Sequence, residues 1–174
     1  TPRTQSSLLE CMEERQCSVD GVTYPMTQPF LVVATQNPVE IQGTFPLPEA
    51  QLDRFFMKLS LGYPDAQQER AMLTAYQLQS PLNSLAPVCV GQDILEVQKQ
   101  VAQVRVSQPV AAYIVSLAGA TRRHEKIRLG ISPRGVIALM RASQAKAAMQ
   151  GRDYVLPDDV KSVFLDISAH RIIC

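Results

Sequence analysis

Asn37, Arg54 and Arg134 have the chemical type and the setting to handle a phosphate. Arg134 follows Ser132-Pro133, an N-cap serine and a first-turn proline, so its guanidinium belongs to the first turn of a helix. A cation there faces the positive end of the macrodipole, at a cost of about 0.3–1 kcal/mol unless an anion satisfies both. A phosphate would serve; the alternative is a side chain bent away to solvent or a surface carboxylate. Asn37 closes an apolar run, and an amide at such a strand tip can donate to a phosphate oxygen or hold a water in line for attack. The plainer reading of Asn37-Pro38 is a turn. Arg54 lies near the exit of a short helix, where a cation suits the dipole, and adjacent Asp53 offers a structural ion pair. Its chemical alternative is to stabilise charge on a transferring phosphoryl group in a neighbouring site.

These residues need elements to hold them. Phe30 to Ala34 is a short continuous apolar run, the pattern of a strand buried on both faces of a parallel sheet, and it stops at polar Thr35-Gln36-Asn37, where open α/β sheets bind ligands. Pro48 opens a short helix through Leu52, and Phe55 to Leu61 is a second apolar segment. Upstream, Thr1-Pro2 starts a helix to about Arg15 with Leu8, Leu9 and Met12 on one face. Asp20-Gly21 between β-formers predicts a hairpin over Gln16 to Tyr24. One helix and two strands do not make a parallel sheet, so further strands are expected from residues before Thr1 or from another chain. Gly62-Tyr63-Pro64-Asp65 marks a boundary between an α/β unit, 1–62, and an all-helical unit, 63–174. In the second unit, helices are expected from Asp65 to about Leu78, over Gln92 to Val104, Pro109 to His124 and Ser132 to Gln150, and from Leu156-Pro157 onward. Each carries one apolar stripe, as in a helical bundle.

Composition narrows the field. The chain has 174 residues, 46% of them hydrophobic, and a net charge of +1, long enough for one core or two small ones. That charge argues against gripping nucleic acid through bulk electrostatics. No apolar run reaches the length of a membrane span and no signal segment opens the chain, so the reading is a soluble, cytoplasmic protein. Cys11, Cys17, Cys89 and Cys174 lack CxxC spacing and read as reduced thiols with no metal site. Residues 1–62 hold seven acids against four bases, and the remainder nine against thirteen. An anion between an acidic piece and a basic one would be well placed.

Four segments together resemble the MoxR family of AAA+ ATPases: Gln5 to Gln16, Ala34-Thr35-Gln36-Asn37-Pro38, Gly43 to Phe55 with its Leu47-Pro48-Glu49-Ala50-Gln51-Leu52-Asp53-Arg54-Phe55, and Gly130-Ile131-Ser132-Pro133-Arg134. The resemblance covers nearly the whole chain. It implies the carboxyl-terminal part of a P-loop AAA+ core, containing the helix, the hairpin and two sheet strands, followed by a helical lid bundle. It implies Asn37 as sensor 1, Arg54 as the arginine finger reaching an adjacent subunit's nucleotide, and Arg134 as the sensor-2 arginine of the lid, contacting nucleotide in its own subunit. It also implies ATP and Mg2+ as cofactors of the complete protein, a hexameric ring of its copies, and a client protein remodelled in a chaperone-like way. The sequence contains no G-x-x-x-x-G-K-[ST] and no apolar strand ending in Asp-Glu. The chain alone is therefore expected neither to hold nucleotide tightly nor to hydrolyse ATP. Two other readings remain: a non-catalytic interaction module whose bundle and hairpin dock a partner, and a fragment of a DNA-dependent AAA+ motor.

Overall fold

The computed structural model describes residues 2–36, 47–77 and 80–174. Asn37, the strand-tip candidate, and the Gly43 to Pro46 part of the resemblance lie outside the described residues.

Helix α1 (Pro2–Glu14) leads into the antiparallel pair β1 (Gln16–Val19) and β2 (Val22–Pro25), in register Gln16 to Pro25 and Val19 to Val22. Asp20 and Gly21 have φ of 51° and 80°, the double positive φ of a tight hairpin turn, which is why Asp-Gly stands there. Ser18 Oγ donates to Glu10 Oε1 at 2.7 Å, tying the hairpin to α1.

The two segments read as parallel strands carry no ladder among the described residues, where β1 and β2 form the sheet. A parallel strand exists only through its neighbours, and none is described beside Phe30 to Ala34, whose Leu31 and Val33 are 82% and 79% exposed. The second segment, after α2 (Glu49–Leu52), turns onto the helical part instead: Lys58 N donates to Asp166 O at 2.8 Å, and Met57 packs against the helical core.

The members of the helical part are α3 (Ala66–Tyr76), α4 (Gly91–Ala102), α5 (Gln108–Arg123), α6 (Pro133–Met149) and α7 (Pro157–Ser168), with a 3-10 turn at Pro81–Ser84. The expected helices form, but their apolar stripes are buried only from α5 onward: α3 is exposed throughout, and Ile94 and Val97 of α4 are 40% and 54% exposed, so these two helices do not complete a bundle. Asp65 caps α3 by accepting from Gln67 N and Gln68 N, while Gln68 Oε1 accepts from Asp65 N, a reciprocal capping box. Helix α6 is central and packs against α4, α5 and α7. Its inner face, Ala138, Leu139, Ala142, Ser143 and Ala147, is buried, and the small side chains allow close approach of the neighbouring helices. Val110 and Ile114 of α5, Val160 and Ile167 of α7, and Val104 and Val155 complete the core. Gln144 Nε2 donates to Val104 O at 2.7 Å, satisfying a carbonyl at the end of α4. Arg152 grips Asp159 through two nitrogens at 2.8 and 2.6 Å, and Leu156 N donates to the same carboxylate. The Arg152 guanidinium foremost, with the Leu156 amide, holds the Asp159 carboxyl below its usual range against the opposing effect of burial.

Candidate functional site

The site begins with two helix ends that are each electrostatically mismatched. Glu13 lies in the last turn of α1, where the dipole disfavours an acid, and Arg134 lies in the first turn of α6, where it disfavours a base. The two meet: Arg134 Nη2 donates to Glu13 Oε1. Arg54 reaches the other oxygen, with Nη1 2.6 Å from Glu13 Oε2, and also lies 3.4 Å from Leu9 O. One carboxylate is thus clasped by guanidiniums from sequence positions 54 and 134. All three side chains are partly open to solvent, at 33% for Glu13, 32% for Arg54 and 44% for Arg134. At that exposure the pairs contribute modestly to stability, so their interest is geometric: the fold aims two forks at one oxyanion.

The local sequence explains how Arg134 is aimed. Ser132 is the N-cap of α6, with Oγ accepting from Gly135 N at 3.1 Å, and Pro133 is the first helical residue. The loop before it is stapled to α5, since Ile131 N donates to Thr121 Oγ1 at 3.1 Å and Arg122 Nε to Ile131 O at 2.8 Å. Gly130 is required there: a Cβ would lie 2.7 Å from Arg122 N and 2.8 Å from Thr121 C.

For Arg54, the expected ion pair with Asp53 is not what forms. The turn after α2 sends the two neighbours to different partners: Asp53 Oδ1 accepts from Arg171 Nε at 2.8 Å and Oδ2 from Ser132 Oγ at 2.8 Å, leaving Arg54 for Glu13. A further bridge, Arg128 Nη2 to Glu49 Oε1 at 2.7 Å, also links α2 to the loop before α6.

Of the sequence candidates, the fold brings Arg54 and Arg134 together; sequence reasoning passed over Glu13 and Arg171. A signal existed for both. Glu13 is an acid at a helix carboxyl end, and Arg171 is a cation set among Ile167, Ile172 and Ile173, a context in which a charge must find partners.

Comparison with known proteins sets this geometry in a family. Residues 1–57 match the ATPase family associated with various cellular activities, and residues 119–174 match the AAA lid domain. The crystal structure of a protein from Cytophaga hutchinsonii, assigned as an ATPase, superposes with a TM-score of 0.91 at 40% identity, over 99% of this chain and 55% of that one. The fold is therefore that of the AAA+ ATPases, in part. The chaperone MoxR1 of Mycobacterium tuberculosis is 38% identical over 180 residues, 98% of this chain and 47% of its own length. The Paracoccus denitrificans protein MoxR is 33% identical over 98% of this chain and 56% of its length, and Bacillus subtilis YeaC is 47% identical over 99% and 54%. The chain belongs to the MoxR family of AAA+ ATPases, and it spans about half the length of the curated relatives it matches.

Among the described residues no helix is long and apolar enough to cross a membrane, and no group of three or more His, Cys, Asp or Glu could hold a metal ion.

Proposed function

We propose that this chain serves a MoxR-type ATPase that binds and hydrolyses ATP to remodel or mature other protein complexes in the cytoplasm. In this reading residues 1–62 belong to the α/β core and residues 63–174 form the lid. The observation that carries it is the convergence of Arg54 and Arg134 on the Glu13 carboxylate, which stands in for an anionic oxygen. Two forked cations around one oxyanion suit a phosphoryl group, whose transfer depends on positioning and on neutralising charge spread over its peripheral oxygens.

The roles follow from that placement. Arg54 acts as the arginine finger and Arg134 as the sensor-2 arginine. Because both clasp one carboxylate, we assign them to one phosphate rather than to separate sites. Since AAA+ proteins generally assemble as rings, Arg54 would reach the nucleotide of an adjacent copy, and Arg134 would accompany it there instead of contacting nucleotide in its own subunit. Asn37 completes the set as sensor 1, donating its amide to a phosphate oxygen or holding the attacking water. Mg2+, when bound with ATP, supplies charge neutralisation at the phosphates. The chain alone, having no G-x-x-x-x-G-K-[ST] cradle, would not turn ATP over.

The test is turnover in the full-length protein that carries this chain. Arg54→Ala should leave ATP binding nearly intact and lower kcat by about 10³-fold or more, the range for arginine fingers. Arg134→Ala, which removes the other fork from the same phosphate, should likewise lower kcat with ATP binding nearly intact. Parental turnover by Arg54→Ala in an assembled ring would overturn the assignment.

A further inference from the structure

We infer that Arg171 and Asp53 are a positioning pair that locks Arg54 and Arg134 into one fixed relation, so that both address the same phosphate; the inference rests on the function proposed above. Arg171 is 5% exposed, and its guanidinium is fully committed. Nε donates to Asp53 Oδ1 at 2.8 Å, Nη2 to the carbonyls of Asp53 and Phe55 at 3.0 and 2.6 Å, and Nη1 to Phe56 O at 3.2 Å and to Ile167 O. One planar fork from the carboxyl end of α7 thus fixes the backbone that leaves α2. The peptide plane containing Asp53 O also contains Arg54 N, so holding that carbonyl orients the base of the Arg54 side chain.

The other arm runs to α6. The second oxygen of Asp53 accepts from Ser132 Oγ at 2.8 Å, and Ser132 is the N-cap two residues before Arg134. The first turn of α6 also lies directly on the Arg171 stem, since a Cβ on Gly135 would approach Arg171 Cδ to 2.8 Å. A single carboxylate therefore references both arginines to the same buried cation. Burying such a pair is a poor route to stability, because desolvation offsets much of the Coulomb gain. Burial in fact pushes the Arg171 pKa down, only partly countered by Asp53. A fixed geometry is what the arrangement supplies.

The test is a double-mutant cycle on ATP turnover by the full-length protein. Arg171→Lys keeps the charge but replaces five forked donors by a point charge. It should lower kcat by about 10- to 100-fold with little change in KM for ATP. In the Arg54→Ala background the same substitution should cost several-fold less, because the group it positions is gone. Equal losses in both backgrounds, or parental kcat for Arg171→Lys with its unfolding midpoint lowered, would overturn the inference while leaving the role of Arg54 intact. Parental kcat for Arg54→Ala alone would overturn the proposed function and this inference with it. If Arg171→Lys does not fold, Asp53→Asn, which keeps shape and removes charge, runs the same cycle with the same expected pattern.

Discussion

At the scale of single residues, chemistry was legible where local sequence created an unmet need. Ser132-Pro133-Arg134 put a cation at the wrong end of a helix, and the structure answers it with an anion, the Glu13 carboxylate. Which anion, and from where, depends on contacts between distant segments that no local pattern encodes. His170 shows the same limit. Its Nε2 lies 3.0 Å from Phe55 O, to which it donates as the neutral tautomer, while Nδ1 is buried without a partner among the described residues. Burial, more than any neighbouring charge, holds the His170 pKa below its model-peptide value of 6.5. The folded state therefore prefers the neutral ring. His170 costs nothing above the unfolded pKa, and stability is lost as pH falls below it toward the folded value. The unfolding midpoint should fall as pH drops below about 6.5, the value of the unfolded imidazole. His170→Gln, whose Nε2 keeps an N–H donor near Phe55 O, should flatten that fall. An unchanged slope would mean that another group titrates there.

At the scale of elements, helices were the most legible because each declares itself through an apolar stripe and a start signal. Asp65, Ser132 and Pro157 mark helix openings as expected. The hairpin was equally plain, since few residue pairs besides Asp-Gly accept two positive φ values in succession. The strands Phe30 to Ala34 and Phe55 to Leu61 were not resolved this way. An apolar run specifies burial, whereas a parallel ladder requires a neighbour whose identity lies elsewhere in the chain or beyond it. Two substitutions probe the presentation of Arg134. Ser132→Ala removes both the cap of α6 and the bond to Asp53, and should cost about 1 kcal/mol in chemical denaturation. Gly130→Ala drives a methyl into the α5 backbone at 2.7 Å from Arg122 N, where nothing can rotate away. It should cost about 1–3 kcal/mol. Wild-type stability in Gly130→Ala would show that the loop before α6 is not held as described.

At the scale of the whole molecule, the short α2 segment ties the parts together. It is held to the helical unit through Asp53, Phe55 and Lys58 and to α1 through Arg54. The asymmetry of charge, acids early and bases late, is expressed in contacts between the parts, where Glu13 pairs with Arg134 and Glu49 with Arg128. The specific assembly of the clasp around Glu13 was not legible, because it joins residues 13, 54 and 134 across three elements. The central claim is that one copy contributes both arginines to one phosphate. Subunit mixing tests it most directly: rings of the full-length protein assembled from Arg54→Ala and Arg134→Ala copies together, assayed for ATP turnover. If both arginines come from the same copy, every site lacks one of them and the mixture is no more active than the separate variants. Turnover in the mixed rings well above either variant alone would show that the two arginines reach a site from different copies, and would contradict the account.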